Sequence, residues 1–289
     1  MTKRVGIISA GDMGAAVGRR LRQAGLDVLT CLEGRSELTR ARAAEAGFRD
    51  LPSSDALVGE ADLILSVLVP AEATAIAEAV AAAVRRTGAR PAFAECNAIA
   101  PQTVLAIERV IAAAGAPFID AGIIGGPPRE GYSPHIYCSG PDTAPLEALR
   151  DCGLDVRRLG PKVGQASGLK MVYAASTKGT TALWTELLVA ARALGLEEAL
   201  RAEWGPNHAV ARSQLAGIAG MPRRARRWVG EMEEIAATFA ALGLTPRILE
   251  GAADIYRLVG DTPLANQTSR EPDASLEEVL ETLRSRLTE

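Results

Sequence analysis

Through residues 1–160 short apolar runs alternate with amphipathic stretches, and past Pro161 the alternation stops. The strand-like runs cover 4–9, 27–32, 63–68, 92–96 and 117–124; the helical stretches cover 15–24, 37–46, 71–84 and 101–114. A chain that switches repeatedly between the two patterns predicts βαβ units, which bury a parallel sheet between two layers of helix. Two further short runs, 134–138 and 156–159, are expected to finish the sheet. Residues 163–194 then read as one long helix, and the rest, to Leu287, is helix punctuated by Gly and Pro. The last 20 or so residues, rich in Glu, Asp, Arg and Ser, read as a solvated tail or terminal helix.

The first strand runs into Ser9-Ala10-Gly11-Asp12-Met13-Gly14, and a helical stretch begins at Ala15. In the fingerprint G-x-G-x-x-G the middle glycine lets the backbone approach a pyrophosphate, and the last lets helix and strand pack closely. Gly11 and Gly14 fill those roles, while Ser9 stands where the first glycine belongs. The second strand ends in Glu33-Gly34-Arg35-Ser36. An acid there suits a ribose 2'-hydroxyl and an arginine suits a 2'-phosphate. Arg35 with Ser36 outweighs Glu33, so NADP is expected over NAD. The expected fold class is therefore α/β: an N-terminal Rossmann-like dinucleotide-binding domain over 1–162 and an all-α C-terminal domain over 163–289, joined by a long interdomain helix. Asn97 follows a strand end, where open α/β sheets place ligands, and is a further candidate cofactor contact.

A net charge of -3 and an isoelectric point near 5.7 make nucleic acid an unexpected partner. The longest apolar runs fall short of the roughly 20 residues a membrane span needs, so a cytoplasmic protein is expected. Four scattered cysteines and two histidines offer no metal-ligand spacing. The cations are more informative: of 32 basic residues, only Lys3, Lys162, Lys170 and Lys178 are lysines. Arginine does not surrender its proton in a protein whereas a buried ammonium does, so a retained lysine is a candidate for proton transfer.

These motifs together resemble the β-hydroxyacid dehydrogenases, the group of 3-hydroxyisobutyrate and 6-phosphogluconate dehydrogenases and, more distantly, imine reductases. The resemblance rests on the 10–14 turn, Leu68-Val69-Pro70 after a central strand, Asp120-Ala121 followed by Gly125-Gly126, and the stretch from Gly164 to Lys170. The stretches 123–128, 173–179, 226–228 and 231–235 are similar to a phosphogluconate-dehydrogenase-like subgroup. The resemblance implies Lys170 as general acid/base, serving hydride transfer between a 3-hydroxy acid, or related alcohol, and its carbonyl form. It also implies a homodimer formed through the helical half.

Two positions depart from the family pattern. The family asparagine four residues after the lysine is Ala174 here, and the serine of Ser-Gly-Gly is Ile124, followed by Gly125 and Gly126. Tyr173, Ser176 or Thr177 could supply the missing polar group, and the glycine amides with Arg129 could still form an anion nest. These losses suggest a substrate larger or less polar than 3-hydroxyisobutyrate. At 100° per residue Tyr173, Ala174, Thr177, Thr181 and Trp184 share a stripe with Lys170, expected to face the cofactor. Arg223, Arg224, Arg226 and Arg227 read first as a solvated helix face, and alternatively as a grip on a phosphate or carboxylate. Trp204 and His208 fit either a substrate pocket or a core aromatic with a capped histidine. Two other functions stay open: an imine or ketone reductase, disfavoured because imine reductases often carry Asp or Tyr where this chain has Lys170, and a non-catalytic NADP sensor.

Overall fold

The structure is a computed structural model that describes residues 2–205, 209–268 and 271–287. It divides into two compact units, Met1–Met171 and Val172–Glu289.

In the first unit the elements run β1 (Arg4–Ile8), α1 (Asp12–Gln23), β2 (Asp27–Thr30), α2 (Glu37–Glu45), β3 (Arg49–Asp50), α3 (Ser54–Glu60), β4 (Leu63–Ser66), α4 (Ala73–Thr87), β5 (Ala92–Glu95), α5 (Pro101–Ala113), β6 (Phe118–Ile124), β7 (His135–Ser139), α6 (Ala144–Glu147) and β8 (Asp155–Gly160). Among the described residues these strands make one eight-stranded sheet in the order β3-β2-β1-β4-β5-β6-β7-β8. Every pairing is parallel except β6 with β7. Apolar side chains alternate to the two faces. One face packs Val5, Ile7, Leu63, Leu65 and Ile119 against Val17 and Leu21 of α1. The other packs Ile8, Leu29, Ile64 and Phe93 against Val80 and Val84 of α4 and Ile107 and Ile111 of α5. Burial on both faces is why these strands read as nearly continuous apolar runs.

The next helix, α7 (Gln165–Ala174), carries the division between the units. The expected boundary at 162/163 therefore moves to 171/172. The physical reason is Asp120 of β6, whose carboxylate accepts hydrogen bonds from the amides of Gly164, Ala166 and Ser167 at 2.9, 3.0 and 3.2 Å. Those bonds tie the first turns of α7 to the sheet.

The second unit is helical: a π-turn (Ala175–Gly179), α8 (Thr180–Ala193), α9 (Glu197–Trp204), α10 (Ala209–Ala219), α11 (Pro222–Ala241), α12 (Arg247–Gly260) and α13 (Leu276–Arg286). The expected single helix over 163–194 is thus interrupted. Side-chain hydroxyls bond to the backbone at this turn: Ser176 and Thr180 donate to the carbonyls of Tyr173 and Ser176 at 2.7 and 2.8 Å. The π-turn changes the residue count per turn, so the stripe expected from Lys170 to Trp184 does not persist beyond Ala175. Residues 276–286 form a helix with a Ser275/Glu278 capping box and bury Val279, Leu280 and Leu283, which excludes a solvated tail there. No helix among the described residues is long and apolar enough to cross a membrane, and no metal-ligand cluster occurs among them.

Candidate functional site

Four neighbouring parallel strands, β1, β4, β5 and β6, end on the same edge of the sheet. That edge therefore gathers the turn Ser9–Gly14, the segment Leu68-Val69-Pro70, Asn97 and the diglycine Gly125-Gly126 in one place, with Glu33, Arg35 and Ser36 beside them at the end of β2. The chain reverses its direction of sheet growth between β1 and β4, the crevice where open α/β sheets bind ligands.

The turn is built for a phosphate. Ser9 has φ +80°, the one non-glycine residue with positive φ among those described, so it adopts the conformation for which the fingerprint uses glycine. Gly11 is the N-cap of α1 and supplies no side-chain acceptor. A Cβ on Gly11 would meet nothing within 4 Å, so space lies open in front of the helix N-terminus. A Cβ on Gly14 would come 2.3 Å from the Ser9 carbonyl oxygen, which is the close helix–strand approach the last glycine permits. Ala10 is fully buried beneath the turn, and Met13 packs on the core. The Asp12 carboxylate is engaged by Arg42 of α2 at 2.5 Å, leaving its contribution to the anion site to its backbone amide. These residues fit the pyrophosphate of a dinucleotide. Replacing Ser9 by Gly relieves its left-handed backbone and is expected to raise unfolding stability by about 1 kcal/mol, measurable by denaturant titration.

At the end of β2, Glu33 is exposed and Arg35 half-buried. Arg35 borders a hollow lined by Ile8, Cys31, Leu57, Val58 and Ile76. Ser36 is the N-cap of α2, its hydroxyl accepting the Thr39 amide at 3.3 Å. Arg40 donates from Nε to the Arg35 carbonyl at 3.2 Å. Thr39 and Arg40 were not singled out from the sequence, although a guanidinium five residues after Arg35 at a helix start is a readable cation pair.

On the central strands, Asn97 accepts the Leu68 amide on Oδ1 at 2.5 Å and donates from Nδ2 to Ser66 Oγ at 3.0 Å. The segment after β4 is thereby hung from Asn97. Val69 is exposed and Pro70 opens a short 3-10 turn.

Lys170 lies on α7 against β6 and donates from Nζ to the Ile123 carbonyl at 2.6 Å. Close contact makes this possible: a Cβ on Gly122 would fall 2.8 Å from the Ala166 carbonyl oxygen and 3.1 Å from Lys170 Cβ. Gly122 is a requirement the motif reading passed over. The ammonium thus stands at the carboxyl end of β6, one residue before Ile124 and the diglycine. Burial pushes the Asp120 carboxyl up, while the Ser139 hydroxyl and the helix amides pull it down.

The expected anion nest is altered. The Gly126 amide already donates to the Tyr132 hydroxyl at 3.2 Å, and Gly125 at φ +128° would bring a Cβ 2.3 Å from that oxygen. Arg129 covers the Tyr132 ring at 5.0 Å, because residues 129 and 132 exchange backbone hydrogen bonds and fold this loop back on itself. A tyrosine hydroxyl thus occupies an amide the nest would have offered.

Within the helical unit, Tyr173 is 47% exposed, Ala174 is buried, and Thr177 Oγ1 bonds back to the Ala174 carbonyl at 3.3 Å. In the arginine cluster Arg224, Arg226 and Arg227 are exposed, as on a solvated helix face, and their contacts are within the chain: Arg223 pairs with Asp273, Arg226 donates to the Gly260 carbonyl at 2.9 Å, Arg227 pairs with Glu231 at 3.4 Å, and Arg224 covers Trp228. Trp204 packs on Trp184 with ring centroids 5.0 Å apart, and both indoles are half-buried. His208 lies outside the described residues.

Comparison with known proteins shows the family and the fold. The family described as the NAD binding domain of 6-phosphogluconate dehydrogenase matches residues 4–151, and a domain of unknown function matches 191–259. A conserved protein of unknown function, whose structure is described as similar to 3-hydroxyacid dehydrogenases, is 31% identical over 90% of this chain and all of its own, with a TM-score of 0.66. Mycobacterium tuberculosis 3-hydroxyisobutyrate dehydrogenase has the same fold at 19% identity, covering 98% of this chain and all of its own, with a TM-score of 0.68. An uncharacterised 28.5 kDa protein of Methanothermus fervidus is 29% identical over 197 residues, 68% of this chain and 74% of that protein. With the nucleotide-binding family spanning half of its length, and a dinucleotide turn and Lys170 gathered on one sheet edge, the chain belongs to the β-hydroxyacid dehydrogenase family of NAD(P)-binding oxidoreductases.

Proposed function

We propose that this protein catalyses reversible oxidation of a 3-hydroxy acid, or a related alcohol, with Lys170 as acid/base and NADP as the preferred cofactor. The observation that carries the reading is the Lys170 ammonium, anchored on the Ile123 carbonyl at 2.6 Å, immediately before the diglycine at the end of β6.

The amides of the 11–14 turn would hold the pyrophosphate, Arg35 and Arg40 the 2'-phosphate, and the hollow beside Arg35 the adenine. The bound nicotinamide supplies the hydride acceptor or donor. In oxidation Lys170 Nζ, as the free amine, takes the substrate hydroxyl proton while the C–H electron pair departs with the hydride. In reduction the ammonium returns that proton to the carbonyl oxygen. Holding Nζ on a backbone carbonyl fixes its position at the end of β6. Ile124 and the Tyr132 hydroxyl then present the substrate with an apolar wall and one hydroxyl, consistent with a substrate bulkier than 3-hydroxyisobutyrate.

Turnover assays with NADPH and NADH test the reading. Arg35→Ala is expected to weaken NADPH binding roughly 10- to 100-fold and to leave NADH binding within about twofold, as removal of a charge-assisted phosphate contact requires. Equal loss for both cofactors would remove Arg35 from the 2'-phosphate site.

The helical unit exposes Leu194, Leu196, Leu242, Leu244 and Ile248, the last at 75%. This much aliphatic surface supports the proposal that a second copy covers it. Light scattering should give the mass of a dimer for the wild type, and Ile248→Asp should shift the equilibrium toward monomer.

A further inference from the structure

Behind the Leu68 segment lies a buried polar group that the proposed reaction does not use. Ser66, Glu95 and Asp120 stand opposite one another on β4, β5 and β6, and each is fully shielded from solvent. Glu95 Oε1 accepts the Asn97 amide at 2.9 Å, and Oε2 has no hydrogen-bond partner. Asn97 in turn holds both Ser66 and the Leu68 amide. A chain of contacts therefore runs from a single carboxyl, through Asn97, to the segment at the cofactor edge.

Geometry disfavours a charge on this carboxyl. One of its oxygens is buried without a donor, and the neighbouring strand presents the Asp120 carboxylate. Beside it in the chain is the Cys96 thiol, itself buried and facing Cys138, with a pKa pushed up by that burial. From β4 the facing side chain is the uncharged Ser66. Burial, and less so Asp120, push the Glu95 carboxyl up to about 8, against the Asn97 amide and the Ser66 and Asn97 side chains, which pull it down.

We propose that Glu95, in its neutral form, is the positioning residue for Asn97 and the Leu68 segment, so that the proton on Glu95 and the binding of the nicotinamide cofactor are coupled. This rests on the dinucleotide reading of the sheet edge. When Glu95 ionises, the carboxylate needs donors, and those within reach are the Ser66 hydroxyl and the Asn97 Nδ2 group. Turning the Asn97 amide toward it takes Oδ1 away from the Leu68 N–H, and the segment loses its anchor. Linkage makes the effect reciprocal: a ligand that needs the anchored segment draws a proton onto Glu95.

The test is the dissociation constant of NADPH, read by nicotinamide fluorescence from about pH 7 to about pH 9.5, for wild type, Glu95→Gln and Lys170→Met. The wild-type constant should rise about tenfold through this range. The rise should persist in Lys170→Met, which separates it from the lysine, and vanish in Glu95→Gln, whose affinity should match the wild-type value at the acid end. Calorimetry of the wild type in two buffers of different ionisation enthalpy should show proton uptake on NADPH binding near pH 8, a readout that does not depend on the variant folding. Thermal stability should follow the same group. The unfolded carboxyl loses its proton near 4.5 and the folded one near 8, so the melting temperature should fall as pH rises between them, and less so in Glu95→Gln. A wild-type constant that does not vary with pH, a rise retained in Glu95→Gln, or no proton uptake would each overturn the coupling while leaving the dinucleotide site intact. Absence of NADPH and NADH binding at every pH would overturn both.

Discussion

Lys170→Met should lower kcat by about 10²- to 10⁴-fold while NADPH binding and the unfolding midpoint stay close to wild type. Methionine keeps the unbranched stem that lies along α7 and removes the ammonium, so packing against Gly122 survives and the proton donor does not. The bond to the Ile123 carbonyl is lost as well, but that carbonyl is at the end of a strand, where its cost is small beside the loss of an acid/base. Kinetics, cofactor fluorescence and melting curves on one preparation separate the three effects. A variant that keeps a tenth or more of wild-type turnover would take Lys170 out of the chemistry.

Asp120→Ala should be the most damaging substitution for stability, at about 3 kcal/mol or more. Its carboxylate accepts from the amides of Gly164, Ala166 and Ser167 and from the Ser139 hydroxyl at 2.8 Å, in a fully buried position. Ala166 keeps the Ser139 hydroxyl as an alternative acceptor at 3.0 Å. The part-buried amide of Gly164 and the buried amide of Ser167 lose their side-chain acceptor, and a buried donor without a partner costs about 1–3 kcal/mol. That is a large share of the ~5–15 kcal/mol by which domains are stable. Asp120→Asn retains one acceptor oxygen and should cost less. Because these bonds fix the start of α7, the alanine variant should also lose turnover through misplacement of Lys170. Urea titration measures the first effect, and kcat at a temperature where the variant is folded measures the second.

The fold was legible wherever the determinant is local. Strand–helix alternation, the Gly11 and Gly14 turn and the two closing runs at β7 and β8 all rest on spacing within a few residues. What could not be read was carried by distant partners. Asp120 and the amides it caps are more than forty residues apart, which is why the division falls at 171/172 and not at 162. The two-residue strand β3 has no apolar signature, since Arg49 and Asp50 are both exposed. The π-turn did leave a signal, the run Ser176, Thr177, Thr180, Thr181 inside a helical stretch, whose hydroxyls bond to backbone carbonyls. Glu95 also left one: a lone acid inside the apolar run 92–96.

For the candidate site, the family resemblance pointed to Lys170 and the diglycine, and the scarcity of lysines added to the first. Tyr132 was not recognisable, because it reaches Gly126 through a folded loop whose register depends on the Arg129 backbone pairing.

The most direct measurement is NADPH and NADH oxidation by the wild type and Lys170→Met across 2- and 3-keto acids, aldehydes, ketones and cyclic imines. Turnover of a 3-carbonyl acid with NADPH, lost in the variant, is the predicted result. Imine turnover that survives in Lys170→Met, or tight NADPH binding with no turnover of any carbonyl compound, would contradict the account.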